Sequence, residues 1–312
     1  MLPKDPHNHQ LRLHWYSRLM NWYRWNDAVQ IPLFNSVARL ALRGKYVVDQ
    51  LHLAFYLQYR QEKLTQWQQQ TQFFFVLASP RSGTVFLTDL LLSQKNMAQV
   101  EHEANITDYL AYAEAIRSSE AALAYIQNFR RQDMFWRSHR SGKKLYGEVN
   151  PFLALHAKAL QMCFPQAQLF HLVKDGRTIV RSMFSRSKLG AKDPMAKPIF
   201  PPLNDPYHAC WDTMSRFEKI CWQWQFENRY LREQIENRLY FEQLSSDYSY
   251  FKTHFLEKMG FEVSETEWKN YINSPKNESP VYRMPHHNAW SSEEKAVFER
   301  ICGDEMRALG YW

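Results

Sequence analysis

The sequence predicts an α/β fold in which a parallel β-sheet is flanked by helices and preceded by a helical extension. Three observations indicate this class. Short apolar runs recur without alternation, as in strands that are buried on both faces of a sheet. Helical stretches separate these runs, which is typical of parallel strands joined by crossover connections. The first apolar run also ends in a turn of small residues that leads directly into a helix.

The elements are predicted in chain order from these patterns. The run at 73–78 predicts the first strand, and residues 85–92 follow it as a helix. A Pro-rich segment at 191–206 breaks the rhythm and is typical of a functional loop or lid. The remaining predicted elements are a strand that ends at VEHEANI (100–106), a strand at 145–149 with a helix from Pro151 to about 163, a strand at 169–173 with a helix through 185, a helix at 211–235, a strand at 238–241, and a helix at 247–259 that Gly260 ends.

Residues 1–70 form the predicted helical extension, and residues 71–312 form the α/β domain. The extension is rich in Leu, Gln, Trp and Arg, and we expect it to pack on the main domain as an extra helical layer. Its mixture of Trp, Tyr and Arg leaves a second interpretation open, in which these helices contact a membrane surface.

Composition excludes several classes of protein. The 312 residues are 45% hydrophobic and 23% charged, which is typical of a globular protein and not of a disordered or collagen-like chain. Lys and Arg number 39 against 32 Asp and Glu, and the resulting net charge of +7 is spread along the chain. That distribution favours a small anionic ligand over a nucleic acid.

The spacing of the cysteines bears on metal binding, and the hydropathy of the chain bears on its compartment. The cysteines do not lie at C-x-x-C spacing, so we expect free thiols and no structural metal. No apolar stretch is long enough for a membrane-spanning helix, and the N-terminal residues lack the apolar core of a secretory signal. We therefore predict a cytoplasmic protein. The cysteines are Cys163, Cys210, Cys221 and Cys302.

The sequence SPRSGT at 79–84 predicts an oxyanion site. A strand that ends in a small-residue turn before a helix directs backbone N–H groups and the positive end of the helix dipole at one point. Gly83 allows a ligand to approach closely, Ser82 and Thr84 add hydroxyl donors, and Arg81 adds a fixed charge. An ordinary strand-to-helix turn is the alternative interpretation of this segment taken alone.

This segment differs from the loop of nucleotide triphosphatases, which requires G-x-x-x-x-G-K-[ST]. Ala78 stands at the position of the first Gly, and Thr84 follows Gly83 with no Lys between them. The sequence therefore predicts a phosphate cradle without the ATP–Mg²⁺ apparatus.

A second segment, HLVKDGRTIVRS at 171–182, predicts a separate phosphate site. Lys174 ends a buried strand, Asp175 can cap the following helix, and Ser182 lies eight positions beyond Lys174. Two phosphate sites at the carboxyl ends of parallel strands suggest a nucleotide that is phosphorylated at two positions. A helix start with incidental charges is the alternative for this segment alone.

The segment VEHEANI offers three candidate general bases, Glu101, His102 and Glu103. Strand alternation would turn both glutamates to one face and His102 to the other. A metal held by three residues adjacent in sequence is disfavoured, because neighbours rarely converge on one ion. A solvated acidic turn is the remaining interpretation.

Together, SPRSGT and VKDGR followed by Ser182 resemble the sulfotransferases that use 3′-phosphoadenosine 5′-phosphosulfate. The second motif is most similar to the form in tyrosylprotein sulfotransferases, which usually have Arg at the position of Lys174. Residues 238–263 and 290–311 also resemble the C-terminal parts of bacterial members. The resemblance covers about residues 73–311 and leaves the extension unexplained.

The resemblance implies a P-loop-type fold and in-line transfer of a sulfuryl group to an acceptor hydroxyl of a glycan, lipid or small-molecule alcohol. It implies the phosphosulfate nucleotide as co-substrate, 3′,5′-bisphosphoadenosine as product, and no required metal. Glu103 is the implied base, with Glu101 and His102 as alternatives, and Arg81 would stabilise the transition state. The implied nucleotide-binding residues are Arg81, Ser82, Gly83, Thr84, Val85, Lys174 and Ser182.

Two positions depart from the family pattern. Val149 stands where many relatives have a Lys, so either Lys143 or Lys144 substitutes for it or Arg81 acts alone. Val85 replaces a second Thr. Two other functions therefore stay open, a non-catalytic protein that binds the bisphosphorylated nucleotide and a P-loop kinase.

Overall fold

The computed structural model describes residues 61–94, 96–139, 141–186, 189–190, 199–273 and 283–312, together with Gly44. Of the predicted extension, these include Gly44 and the last ten residues, and of the Pro-rich segment they include residues 199–206. The predicted helices before residue 61, and their packing or membrane contact, lie outside the described residues.

Within these residues, the strands form one five-stranded sheet in which every pairing is parallel. The strand order is β2-β3-β1-β4-β5, and helices pack on both faces, so the predicted α/β class is confirmed. The strands are β1 Gln72–Ala78, β2 Ala98–His102, β3 Leu145–Val149, β4 Gln168–Val173 and β5 Arg238–Tyr240.

The helices fill the intervals between the strands. In chain order, the α-helices are α1 Gln61–Gln70, α2 Thr84–Leu92, α3 Asp108–Ala115, α4 Ser119–Tyr125, α5 Arg131–Ser138, α6 Ala157–Cys163, α7 Gly176–Ser185, α8 Arg216–Gln234, α9 Phe241–Ser246, α10 Tyr248–Phe251, α11 Glu257–Met259, α12 Glu265–Ile272 and α13 Ser292–Ala308. Short 3₁₀ segments cover Pro151–His156 and His287–Ala289, and π segments cover Ile126–Arg130 and Lys252–Leu256.

Each of the three elements predicted after residue 210 differs from its prediction at a boundary or in continuity. The last strand ends at Tyr240, and Phe241 opens a helix instead of extending the strand. The long helix predicted from residue 211 begins at Arg216, because Ser215 and Glu218 form a capping box that fixes its start. The helix predicted at 247–259 is broken into short segments, although Gly260 ends it in the left-handed conformation as expected.

The central strand β1 is buried on both faces because β3 and β4 flank it and helices cover it. Its apolar side chains from Phe73 to Ala78 are at most 3% exposed. Trp67 of α1 packs edge-on against Phe73 and Phe135, which joins the described end of the extension to this core. No helix among the described residues has the length and apolar character needed to cross a membrane.

The strand order determines where a ligand would bind. The chain places β2 and β3 on one side of β1 and then crosses to place β4 and β5 on the other. In open parallel sheets, ligands bind beyond the carboxyl ends of the strands where the winding direction changes. The loops after β1 and β4 meet at this position.

Candidate functional site

The first loop, residues 79–83, connects β1 to α2. Arg81 has a φ of 77° and Gly83 a φ of 95°, so the chain turns sharply just before the helix. Gly83 provides no side-chain cap for α2, and the first intrahelical bond runs from the Leu87 amide to the Gly83 carbonyl. The amides of the first turn and the helix dipole therefore make this terminus attractive to an anion.

Ser82 has the least satisfied polar side chain of this loop. Its side chain is buried, with 1% exposure, and its Oγ has no hydrogen-bond partner among the described residues. A buried hydroxyl without a partner costs about 1–3 kcal/mol, so such groups are rare in native proteins. A ligand oxygen at this loop would satisfy the hydroxyl.

The second loop follows β4. Asp175 caps α7 by accepting a hydrogen bond from the Arg177 amide at 2.8 Å, which confirms the predicted cap. The Asp175 amide donates to Glu242 Oε1 at 3.0 Å, and Tyr311 donates to the other oxygen of Glu242 at 2.7 Å. These contacts fix the start of α7 beside Lys174.

The two loops meet directly. Arg81 Nε donates to Ser182 Oγ at 3.0 Å, across a separation of 101 residues in sequence. The ring of Phe241 also joins them, because a Cβ on Gly83 would overlap that ring, while Lys174 Nζ lies 4.1 Å from the ring centroid. The structure thus brings together cations and hydroxyls from both predicted phosphate sites.

Sequence reasoning missed Phe241. The signal that could have revealed it is its position, since it follows β5 at the carboxyl edge of the strand next to β4. Any residue that directly follows a strand of this sheet borders the same edge.

A third segment reaches α2 from the opposite side of β1. His102, the last residue of β2, places Nε2 3.2 Å from Thr84 Oγ1 in the first turn of α2. Glu103 follows with a φ of 46°, a left-handed conformation that is uncommon for residues other than glycine. The strand ends before Glu103, so alternation fixes the faces of Glu101 and His102 but not that of Glu103.

Glu101 belongs to different surroundings. It accepts a hydrogen bond from Gln99 Nε2 at 2.7 Å and lies opposite Glu148 in the parallel register. Because His102 faces Thr84, Glu101 points to the other face of the sheet. Burial raises the pKa of its carboxyl, although Arg137 acts in the opposite direction.

The lysines considered as substitutes at the Val149 position lie elsewhere. Lys143 and Lys144 precede the amino end of β3, and Lys143 Nζ donates to the Asn96 carbonyl at 2.6 Å. Val149 is fully buried at the opposite, carboxyl end of that strand. Of the alternatives named above, only Arg81 lies at the carboxyl edge.

The first loop is anchored to the core through Asn228 of α8. Asn228 Nδ2 donates to Ser79 Oγ at 2.8 Å, and its Oδ1 lies 3.0 Å from His171 Nε2 on β4. All three side chains are almost completely buried. Burial lowers the pKa of His171 to about 3, so the ring is neutral and its Nε2 donates to Asn228.

The edge therefore combines Arg81, Lys174 and two helix N-termini with the polar residues His102 and Glu103. Within the described part of the chain, no three His, Cys, Asp or Glu side chains converge as metal ligands. This arrangement can bind an anion with two separated charged groups and place a proton acceptor beside one of them.

The structure is similar to solved sulfotransferase structures. Sulfotransferase STF9 from Mycobacterium avium matches with a TM-score of 0.50 and 12% identity, covering 82% of this chain and 81% of that one. The sulfotransferase domain from the curacin biosynthetic pathway matches with 12% identity and a TM-score of 0.39, covering 75% and 97%. No protein-family model and no curated protein matches the sequence. At this identity, the first likeness shows that the chain has the sulfotransferase fold.

Proposed function

We propose that this protein is a sulfotransferase that moves a sulfuryl group from 3′-phosphoadenosine 5′-phosphosulfate to an acceptor hydroxyl. The observation that best supports the proposal is the hydrogen bond from Arg81 Nε to Ser182 Oγ at 3.0 Å. It places the segment that resembles a 5′-phosphosulfate loop against the segment that resembles a 3′-phosphate motif. One nucleotide phosphorylated at both positions would engage the two together.

The residues at this edge fit such a nucleotide. Arg81, Ser82 and the first-turn amides at Thr84 and Val85 would hold the 5′ end, and Ser82 Oγ would gain the partner it lacks. Lys174 and Ser182 would hold the 3′-phosphate. When bound, the phosphosulfate anhydride supplies an activated sulfuryl group.

The first loop of this chain would supply transition-state stabilisation. Arg81 and the amides that open α2 provide positive charge where the bridging oxygen to the nucleotide phosphate becomes negative as its bond to sulfur breaks. Removing one such preorganised donor typically lowers the rate by about 10²–10³-fold. The carbonyl of Ser79 accepts the Ser82 amide at 3.3 Å, which helps to keep this loop in its turn.

Glu103 would take the proton from the acceptor hydroxyl while the oxygen of that hydroxyl forms its bond to sulfur. It follows His102, which contacts Thr84 at the start of α2, whereas Glu101 faces Arg137 on the other side of the sheet. Of the three candidates, Glu103 and His102 therefore border the loop. We assign the proton transfer to Glu103 and a supporting contact with Thr84 to His102. The acceptor would be an alcohol from a glycan, a lipid or a small molecule.

Thermal unfolding of the full chain with 3′,5′-bisphosphoadenosine, and separately with ATP and Mg²⁺, tests the nucleotide site. A ligand at a concentration one hundred times its Kd stabilises a protein by about 2.7 kcal/mol, which raises Tm by about 4 °C at this size. We expect that shift with the bisphosphate and not with ATP and Mg²⁺. Arg81→Met and Lys174→Met should remove most of it.

Lys252→Met is the matched control, because Lys252 is exposed and its closest carboxylate partner, Glu257, lies 3.8 Å away. Stabilisation by ATP and Mg²⁺ alone would identify a kinase instead. Glu103→Gln should keep the bisphosphate shift and lose about 10²-fold or more in transfer of labelled sulfate to a panel of alcohols. A parent protein that binds the bisphosphate but transfers nothing across the panel would be a binding protein.

A further inference from the structure

A cluster of buried charges lies beside β2 and β3, outside the first loop at 79–83 and the second loop at 174–175, which are together called the nucleotide loops below. At its centre is Arg130, which is fully buried. Its guanidinium contacts three carboxylates, Asp108 at 2.6 Å, Asp133 at 2.7 Å and Glu148 at 2.6 Å. These four residues are called the Arg130 cluster below.

Within the Arg130 cluster, the side chains of Arg130, Asp108 and Glu148 are fully buried, and that of Asp133 is 12% exposed. Asp108 also accepts hydrogen bonds from Tyr125 at 2.7 Å and from Asn150 at 2.8 Å. Glu148 also accepts one from Tyr146 at 2.5 Å. Ionised groups with no exposure persist only when they are paired and hydrogen-bonded in this way.

Arg130 keeps its charge in these surroundings. Burial alone would lower its pKa, but the three carboxylates, with Asp108 foremost, raise that pKa well above the usual value. Burial raises the pKa of Asp108 to about 6, although Arg130 acts against this. The pair is the electrostatic centre of the cluster.

The cluster holds the loop that bears Glu103. This base loop, residues 103–107, ends at Asp108, the first residue of α3. Burial alone would raise the pKa of Asp133, but Arg137, Arg130 and the neighbouring Asn105 side chain hold that pKa below its usual value. Thr107 Oγ1 donates to Asn105 Oδ1 at 2.8 Å and lies 3.0 Å from the Tyr125 hydroxyl. Asn105 and Thr107 of the base loop are thus linked to the cluster, Asn105 beside Asp133 and Thr107 through Tyr125, which donates to Asp108.

The other end of the base loop is held at His102, whose ring contacts Thr84 at 3.2 Å. Between the two anchors, Glu103 adopts a φ of 46°. A left-handed conformation of this kind costs about 1–3 kcal/mol and persists only where the surroundings fix it. The anchors on both sides of Glu103 supply that constraint.

We propose that the Arg130 cluster positions the base loop, with Arg130 and Asp108 as positioning residues that keep Glu103 in place at the nucleotide edge. The assignment of Glu103 as the base rests on the proposed function, whereas the restraint on the loop does not. Loss of the Asp108 charge releases the loop locally and leaves residues 79–84 unchanged.

Hydrogen exchange of the full chain tests this restraint, with Asp108→Asn as the main variant. Asparagine keeps the shape of the side chain and removes the charge that pairs with Arg130. We expect backbone amides in residues 103–107 to exchange about tenfold faster or more. The reason is that the charged hydrogen bonds to the Asp108 carboxylate, which hold the end of this loop, are lost. Amides in residues 79–84 should exchange at the parental rate.

Glu305→Gln is the matched control for a general loss of stability. Glu305 is 3% exposed and forms a two-pronged ion pair with Arg232 at 2.8 and 3.0 Å, which joins α13 to α8 away from the base loop. We expect it to lower Tm without faster exchange in residues 103–107. Tyr125→Phe is a milder second variant that keeps the cluster charges, and it should accelerate the same amides to a smaller extent.

Unchanged exchange at residues 103–107 in Asp108→Asn and Tyr125→Phe would overturn the proposal. An equal acceleration in Glu305→Gln would also overturn it, since the effect would then be global. Exchange is measured without ligand, so a chain that fails to bind 3′,5′-bisphosphoadenosine would refute the proposed function and leave this result standing.

Discussion

The nucleotide loops and the Arg130 cluster both contain charged and polar groups near the carboxyl ends of the strands. The two regions differ in how fully the protein itself pairs these groups. In the cluster, the oxygens of Asp108 and Glu148 are paired inside the protein. In the nucleotide loops, Ser82 Oγ lacks a partner among the described residues and α2 begins without a side-chain cap. The cluster is thus satisfied within the protein, whereas the first loop leaves a buried hydroxyl that the nucleotide of the proposed function would satisfy.

Backbone conformation follows the same division. The positive-φ residues other than glycine in the described chain are Arg81, Glu103 and Leu189. Two of these lie at the carboxyl edge of the sheet, Arg81 in the first loop and Glu103 in the base loop. Strained residues of this kind cluster at functional sites, where the surroundings hold them.

Arg130→Met should give the largest effect and would break the cluster. Methionine removes the only guanidinium that contacts Asp108 and Glu148 among the described residues, and it leaves buried carboxylates without their counter-ion. Removing one partner of a buried ion pair costs about 3–5 kcal/mol in the free energy of unfolding. Urea denaturation measures this loss.

Arg137→Met is the control for that variant. Arg137 also pairs with Asp133, at 3.0 Å, but its side chain is 26% exposed, so the loss should be less than half as large. Equal losses for the two variants would contradict the view that the cluster is organised around the fully buried arginine. The folded fraction of Arg130→Met should still bind 3′,5′-bisphosphoadenosine, because the ion pairs of Arg130 are to Asp108, Asp133 and Glu148 and not to residues of the nucleotide loops.

Much of the fold could be predicted because buried parallel strands have a local signature. The predicted strand at 145–149 is confirmed at both ends, and the strand predicted at 73–78 starts one residue earlier, at Gln72. The strand predicted at 238–241 ends at Tyr240 in the structure, because its pairing with β4 runs from Arg238 to Tyr240 and Phe241 opens α9. The boundary is set by tertiary contacts that no local pattern records.

The site was predictable where its residues lie in short motifs, as with residues 79–84 and 174–182. The Arg130 cluster was not predicted. Its contacts join Arg130 to Asp108 over 22 residues and to Glu148 over 18, and each charge alone resembles a solvated surface residue. Only the placement of β2 beside β3 and the helices after β2 brings these charges together.

His171→Gln tests how the first loop is anchored to the core, because His171 joins β4 to this loop through Asn228. Its pKa is lowered to about 3 in the folded protein, below the usual value of 6.5, so the neutral ring must gain a proton on unfolding in acid. The stability that this neutral ring provides is complete above pH 6.5 and is lost as pH falls toward 3. Between pH 7 and pH 5, the parent should lose about 2 kcal/mol through this group.

Glutamine keeps a donor for Asn228 and does not titrate. The difference in free energy of unfolding between the parent and His171→Gln should therefore shrink by about 2 kcal/mol from pH 7 to pH 5. Denaturation at both pH values measures it, with His254→Gln as the control at an exposed histidine. A difference that stays constant with pH would contradict a neutral, buried His171.

Ser82→Ala should have the smallest effect on the free energy of unfolding. It distinguishes a group that binds the ligand from a group that stabilises the fold. The substitution deletes a buried hydroxyl that has no partner among the described residues, so the free energy of unfolding should stay within about 0.5 kcal/mol of the parent or rise. The affinity for 3′,5′-bisphosphoadenosine should fall about tenfold, because one hydrogen bond to a charged oxygen is lost.

Ser138→Ala is the control, since Ser138 Oγ is buried and donates to the Met134 carbonyl at 2.7 Å. That variant should lose stability and keep its affinity. If Ser82→Ala instead loses stability and keeps its affinity, then the Ser82 hydroxyl stabilises the fold and does not bind the ligand. The proposed difference between the first loop and the Arg130 cluster would then be wrong.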